Sequence, residues 1–173
     1  MARLGVFVLL LGFAVLAAGL FGALHNQVSY SISPEYFHAF KFRQFGLPPE
    51  IAPRLGAALV GWRASWWMGL ILGPPVFLLG LILLPDARLY WRAGLRALLA
   101  IFLFTALISA LGILFGLLFL GETALAQLPL PEGLNDPLGF LRAGIMHEAS
   151  YVGGFLGILV GVWILFKIRK VGT

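Results

Sequence analysis

The side chains able to do chemistry in this sequence are few, and they fall between long apolar runs. His25, Gln27, Glu35 and His38 lie in the stretch 25–46, HNQVSYSISPEYFHAFKFRQFG; Glu122 follows the third apolar run, and His147, Glu148 and Tyr151 open the fourth. Imidazoles and carboxylates converging from separate elements form the donor set of a divalent transition metal site, with groups such as tyrosine and glutamine orienting the ligands from behind. Glu35 and His38 also have the i, i+3 spacing that lets one helical turn offer a carboxylate and an imidazole to one metal. The candidate ligands are His25, Glu35, His147, Glu148 and Glu122, with Gln27, Tyr151 and His38 behind them, and the same groups could carry protons. The competing reading is structural: Glu35, Glu122 and Glu148 pair with Lys41, Arg43, Arg63 or Arg142 and seal a rim, because charges withdrawn from water need partners.

Other chemistry is excluded or unsupported. The chain has no cysteine, so it has neither disulfides nor a thiol redox centre. No Ser-His-Asp arrangement, P-loop or dinucleotide glycine motif occurs, and no enzyme class is indicated.

The elements that must position these residues are membrane helices. With 61% hydrophobic and 11% charged residues and a mean hydropathy of +0.99, the chain is too apolar for a water-soluble domain. Runs able to cross a hydrocarbon layer of about 30 Å fall at residues 4–24, 66–84, 97–120 and 151–166. The first is longer than the roughly 7–15 residues of a signal-peptide core and reads as a retained span. The pI near 10.1 does not point to nucleic acid, because the cations sort by side. Arg3, Arg88, Arg92, Arg96, Lys167, Arg169 and Lys170 lie at the two ends and in the 85–96 segment, which places those parts in the cytoplasm. Every acid except Asp86 falls on the other side.

Local patterns refine this plan. Gly5, Gly12 and Gly19 recur at seven-residue intervals and offer a close-packing stripe on the first helix. Residues 28–33 alternate apolar with serine and predict extended chain. Ser33-Pro34-Glu35 predicts a short helix over 34–45 stopped by Gly46, with a strand over 40–45 as the alternative. Lys41 and Arg43 among its aromatics suit a helix in the headgroup layer with snorkelling cations. Pro48-Pro49-Glu50 predicts a further helix start, and Gly73-Pro74-Pro75 a mid-membrane kink or, as in many transporters, a break. The 85–96 segment reads as a basic turn on anionic headgroups, and Gly112-x-x-x-Gly116 as a helix contact. The proline-rich stretch 127–136 ends in Asp136-Pro137, which predicts a helix start. Beyond it His147, Ser150, Tyr151, Gly154, Gly157 and Gly161 share one face, turned to the bundle interior.

The run His25-x-Gln27-x-x-Tyr30-x-Ile32-Ser33-Pro34-Glu35-Tyr36-Phe37, with Lys41-Phe42-x-Gln44-Phe45, Ala64 to Gly69 (ASWWMG) and His147-x-x-Ser150-Tyr151-x-Gly153-Gly154, resembles an uncharacterised group of bacterial four-helix membrane proteins. The resemblance covers most of the chain and implies a bacterial inner-membrane protein, but it brings no activity or substrate. His38 lies outside its pattern, which shifts the ligand set toward His25, Glu35 and His147.

The expectation is an all-α protein: a single antiparallel four-helix membrane domain over 1–173, both termini cytoplasmic, with a small periplasmic cap from 25–60 and 121–147. Beneath the cap a His/Glu site binds a divalent transition metal or carries protons. The alternatives are a structural or accessory subunit, as a homo-oligomer or in a larger membrane complex, and a lipid-handling protein using the break at Pro74-Pro75. Membrane lipids are partners in every case.

Overall fold

The computed structural model describes residues 2–125, 128 and 130–171. These are helical, with no strand among the described residues. Three helices are long and apolar enough to cross a membrane: α1 (Arg3–Ile32) and, further along the chain, the helices Ala87–Phe119 and Pro137–Val171. Between them come a π-helical segment (Tyr36–Lys41) continued by α2 (Phe42–Gln44), then α3 (Pro53–Ser65) and α4 (Met68–Leu83), then α5 (Ala87–Phe119), the short α6 (Glu122–Leu125) and α7 (Pro137–Val171). The pair α3 and α4, bent by 43°, passes the same length and apolarity test as one broken span.

The distribution of side chains is inverted relative to a water-soluble bundle. Leu4, Val8, Leu16, Leu20 and Leu24 of α1 are exposed, whereas His25, Asn26 and Ser29 of the same helix are buried. The same holds for Thr105 and Ser109 against Leu103 and Leu107 of α5. Lipid is as apolar as leucine, so helices associate there through close packing of small residues and interhelical hydrogen bonds.

At one end the start of α1, the end of α4, the start of α5 and the end of α7 meet around Val6, Leu10, Phe77, Leu84, Tyr90 and Leu165. Tyr90 Oη donates to the Phe77 carbonyl at 2.8 Å. Arg3 donates to the carbonyls of Leu81 (3.0 Å) and Leu84 (3.2 Å) at the end of α4, and Asp86 caps α5 by accepting from Leu89 N at 2.7 Å. The arginines of α5 and the last cations of α7, Lys167, Arg169 and Lys170, belong to this end, whereas Arg142 opens α7 at the other.

Several sequence expectations change. Residues 28–32 are helical rather than extended: α1 runs through Ile32. Gly22, His25, Asn26, Ser29 and Ser33 are all buried and Ser31 is exposed, so Ser29 and Ser33 continue an inward stripe of helical spacing that the alternation with apolar residues disguises as a strand. The short helix over 34–44 does form and ends at Gly46, whose φ of +58° suits glycine. No helix opens at Pro48; α3 starts at Pro53 because a residue before proline is driven out of the α region, and Ala52 has ψ 126°. The helix passes through Pro74 and Pro75, and the bend lies instead at Trp66–Trp67, where Gly69 N and Leu70 N reach back only three residues to Trp66 O and Trp67 O. Residues 87–96 are the first turns of α5 rather than a loop, with exposed Arg88, Arg92 and Arg96 on one face and buried Tyr90, Ala93 and Ala97 on the other.

Of the segments 25–60 and 121–147 expected to form a cap, 25–32 and 137–147 belong to α1 and α7 and 53–60 to α3; residues 126, 127 and 129 lie outside the described residues. The glycine stripe of α1 is also displaced. A Cβ at Gly5 or Gly12 would meet nothing within 4 Å, whereas one at Gly19 would strike the Trp62 ring and one at Gly22 the Gly61 carbonyl. Gly112 and Gly116 do face α7, at Ala149 and Arg142.

Candidate functional site

At the opposite end from the Tyr90 core, α1, α5 and α7 bring a polar cluster into the interior. His25 and His147 are both buried and their rings pack edge to face, with centroids 4.6 Å apart and planes at 81°. His25 Nε2 lies 2.9 Å from Ser109 Oγ, and that hydroxyl donates to the Met146 carbonyl at 3.2 Å. Its proton being so used, Ser109 accepts from His25 Nε2–H. Asn26 Nδ2 donates to the Ala57 carbonyl at 2.9 Å, which leaves Asn26 Oδ1 turned to His25 Nδ1 at 3.5 Å. A second proton on His25 therefore finds an acceptor already in place. His147 Nε2 bonds Ser29 Oγ at 3.1 Å, and its Nδ1 makes no hydrogen bond among the described residues.

The π-helical segment closes the site from above. In it Phe42 N reaches five residues back to Phe37 O, a widened turn that rotates the following side chains and is frequent at functional sites. Tyr36 lies over His147, ring centroids 5.1 Å apart. Lys41 and Tyr151 complete a small polar pocket with His25, His147, Ser65 and Ser150. The Lys41 ammonium donates to Gln44 Oε1 at 3.1 Å and sits 4.5 Å from the Phe40 ring centroid. Burial pushes its pKa down, with the Glu148 carboxylate pulling the other way. Burial pushes the Tyr36 phenol up, helped by Tyr151 and Glu148.

Directly below lies an apolar cavity of about 90 Å³, open on one side and bounded by α1, α4, α5 and α7 through residues such as Ala14, Leu72, Ile101 and Gly154. Phe21, Ser65, Ser150 and Tyr151 line both spaces.

Of the residues singled out by sequence, His25, His147 and Tyr151 come together; the carboxylates do not join them. Glu35 accepts from Asn135 N (2.9 Å), Asn135 Nδ2 (3.0 Å) and Asp136 N (2.8 Å), tying the segment after α1 to the start of α7. Gln27 donates to Arg54 O, His38 bonds the Tyr30 hydroxyl at 3.1 Å, and Glu122 and Glu148 are exposed. Among the described residues no three His, Asp or Glu are grouped to hold a metal ion. Nor do the cations form the expected rim pairs: Lys41 bonds Gln44, Arg63 the Phe45 carbonyl and Arg142 the Gly116 carbonyl.

Sequence reasoning missed Ser29, Ser109 and Lys41. Ser29 stands one helical turn after His25, and Thr105 and Ser109 are the two hydroxyl residues of the 97–120 run, also one turn apart. That spacing was the available signal. No family model, curated protein or solved structure matches the chain.

The Glu35 latch carries a pH prediction. Backbone N–H groups of Asn135 and then Asp136 hold its carboxyl below the ordinary glutamate value of 4.5. A carboxyl depressed in the folded state stabilises above its unfolded pKa and loses that contribution as pH falls through the folded value. The latch is therefore intact near neutrality and is released as the pH falls through that depressed folded value, below the ordinary 4.5. Amide exchange at Asn135 and Asp136, corrected for intrinsic rates, should accelerate in acid in the wild type; in Glu35→Gln it should be fast and insensitive to pH.

Proposed function

We propose that this chain is a four-span integral membrane protein of the bacterial inner membrane, with the α3–α4 pair as one bent span and both termini cytoplasmic. In this reading it binds a membrane-soluble ligand, whose polar group enters the pocket of His25, Lys41 and His147 at the periplasmic level. The carrying observation is the pocket itself: two buried imidazoles, an ammonium and a phenol face a polar space that adjoins an apolar cavity among four helices. Buried ionisable residues at membrane level mark functional paths more often than they serve packing. The orientation is supported by the collection of Arg3, Arg88, Arg92 and Arg96 at the Tyr90 end.

The chain lacks cysteine, so single thiols test this cleanly. Ser150→Cys, on the pocket wall, should react with a lipid-soluble maleimide. Glu50→Cys should react with an impermeant thiol reagent added outside, and Arg92→Cys should not. An inert Ser150→Cys in folded protein, or an Arg92→Cys labelled from outside, would overturn the proposal.

A second reading, as a homo-oligomer or accessory subunit, draws on Gly5 and Gly12, which leave an open seven-residue stripe on α1. Thiol cross-linking of Gly12→Cys in membranes tests it, and a monomer under all conditions counts against it.

A further inference from the structure

We propose that the pocket and cavity together bind a single-chain acidic amphiphile, its anionic head against Lys41 and its alkyl chain among α1, α4, α5 and α7. The inference rests on the ligand-site reading above and adds the chemical class.

Charge decides the head. The ionisable side chains lining the polar pocket are His25, Lys41, His147 and Tyr151, with no carboxylate among them. Lys41 is the fixed cation of this set, and its hydrogen bond goes to the neutral amide of Gln44. The Phe40 and Tyr36 rings, at 4.5 and 5.6 Å, offer cation–π attraction, which is weaker than an anion at contact distance. Glu148, the acid that acts on Lys41 electrostatically, is exposed and lies outside the pocket lining. Lys41 is half-buried, and a partly desolvated cation without a contacting anion favours one. A carboxylate or phosphate meets it, and the Tyr151 hydroxyl and the free Nδ1 of His147 supply hydrogen-bonding partners to its oxygens, while the Ser150 hydroxyl donates to the His147 carbonyl at 2.7 Å.

The lining decides the tail. The cavity of about 90 Å³ is almost wholly apolar and open on one side, so part of an alkyl chain can lie in it while the rest continues out through the opening. Walls of Phe21, Leu72, Ile101 and Phe102 give such a segment dispersion contacts without a polar group to strand. Tyr151 and Ser150, lining both spaces, place head and chain on one continuous path.

The test uses the full chain in phosphatidylcholine nanodiscs and three probes of one chain length: palmitate, hexadecyl phosphate and hexadecanol. Native mass spectrometry should show one or both acids binding at least about 10-fold more tightly than the alcohol, a step of about 1.4 kcal/mol. Preference for palmitate identifies a fatty acid as the source of the head, and preference for hexadecyl phosphate a phosphorylated chain. Lys41→Gln should remove the acid preference while leaving hexadecanol unchanged, and Lys41→Arg should restore it. Gly154→Leu, whose side chain points into the cavity, should weaken all three. Equal binding of alcohol and acids, or a preference that survives Lys41→Gln, overturns the acidic head and leaves the ligand site standing. Absence of binding by all three overturns both.

Discussion

Gly61→Leu is expected to leave little folded protein, whereas Gly12→Leu is expected to be harmless. At Gly61 an added Cβ would run into the Gly22 carbonyl and lie 2.9 Å from Ala23 N, and at Gly22 it would run into the Gly61 carbonyl. The obstacles are backbone atoms of a neighbouring helix, which cannot rotate aside as a side chain does. Overpacking an adaptable core costs about 1–3 kcal/mol, and this contact should exceed that range because α1 and α3 must separate to relieve it. In lipid their association depends on such closeness, no hydrophobic force being available to replace it. The site suffers too, because Asn26 bonds the Ala57 carbonyl one helical turn before Gly61. Gly12 has no neighbour within 4 Å, and removing a mid-helix glycine gains about 0.5–1 kcal/mol. Thermal unfolding in mild detergent, followed by tryptophan emission, checks both, since Trp62 lies against Gly19 beside the crossing.

How much of this was legible in the sequence depended on distance along the chain. The apolar runs, the start of α7 after Asp136, the stop at Gly46 and the inward face of α7 are local patterns, and the structure has them. The meeting of His25 with His147 was also within reach, since each opens or closes an apolar run at the same level. The carboxylates stand apart from the histidines in a way that spacing does not encode, because loop closure is not a local property. Glu35 is held by Asn135 and Asp136, a hundred residues away, and no spacing within 25–46 encodes that latch. Lys41 read as a snorkelling cation because its place follows from the π turn before it. Residues 28–33 read as extended because serine alternates with apolar residues there, whereas the burial of Ser29 and Ser33 follows the helical spacing that α1 continues through Ile32.

The second large effect concerns the imidazole pair. Replacing both histidines by leucine should abolish ligand binding while leaving the fold at least as stable. The stability half follows from what each histidine leaves behind. Ser109 keeps its bond to the Met146 carbonyl, Ser29 can turn to a carbonyl one turn back on its own helix, and Asn26 keeps its bond to the Ala57 carbonyl and loses only the long 3.5 Å contact of its Oδ1. Leucine brings no desolvation penalty, and buried polar groups replaced by apolar ones of similar size are often neutral or stabilising. If the pair merely sealed the bundle, its loss would instead cost about 1–3 kcal/mol. The binding half follows from removing the His147 partner of the ligand head and from lining the polar pocket with two apolar side chains, at about 1.4 kcal/mol or more for each change, which compounds to about 100-fold or more.

The most direct measurement is therefore palmitate and hexadecanol binding by the wild type and by His25→Leu/His147→Leu in the same nanodiscs, with thermal midpoints taken alongside. The ligand-site account predicts a variant that melts no earlier than the wild type and has lost both probes. A variant that melts earlier and binds as before would contradict it, and would make His25 and His147 a structural seal.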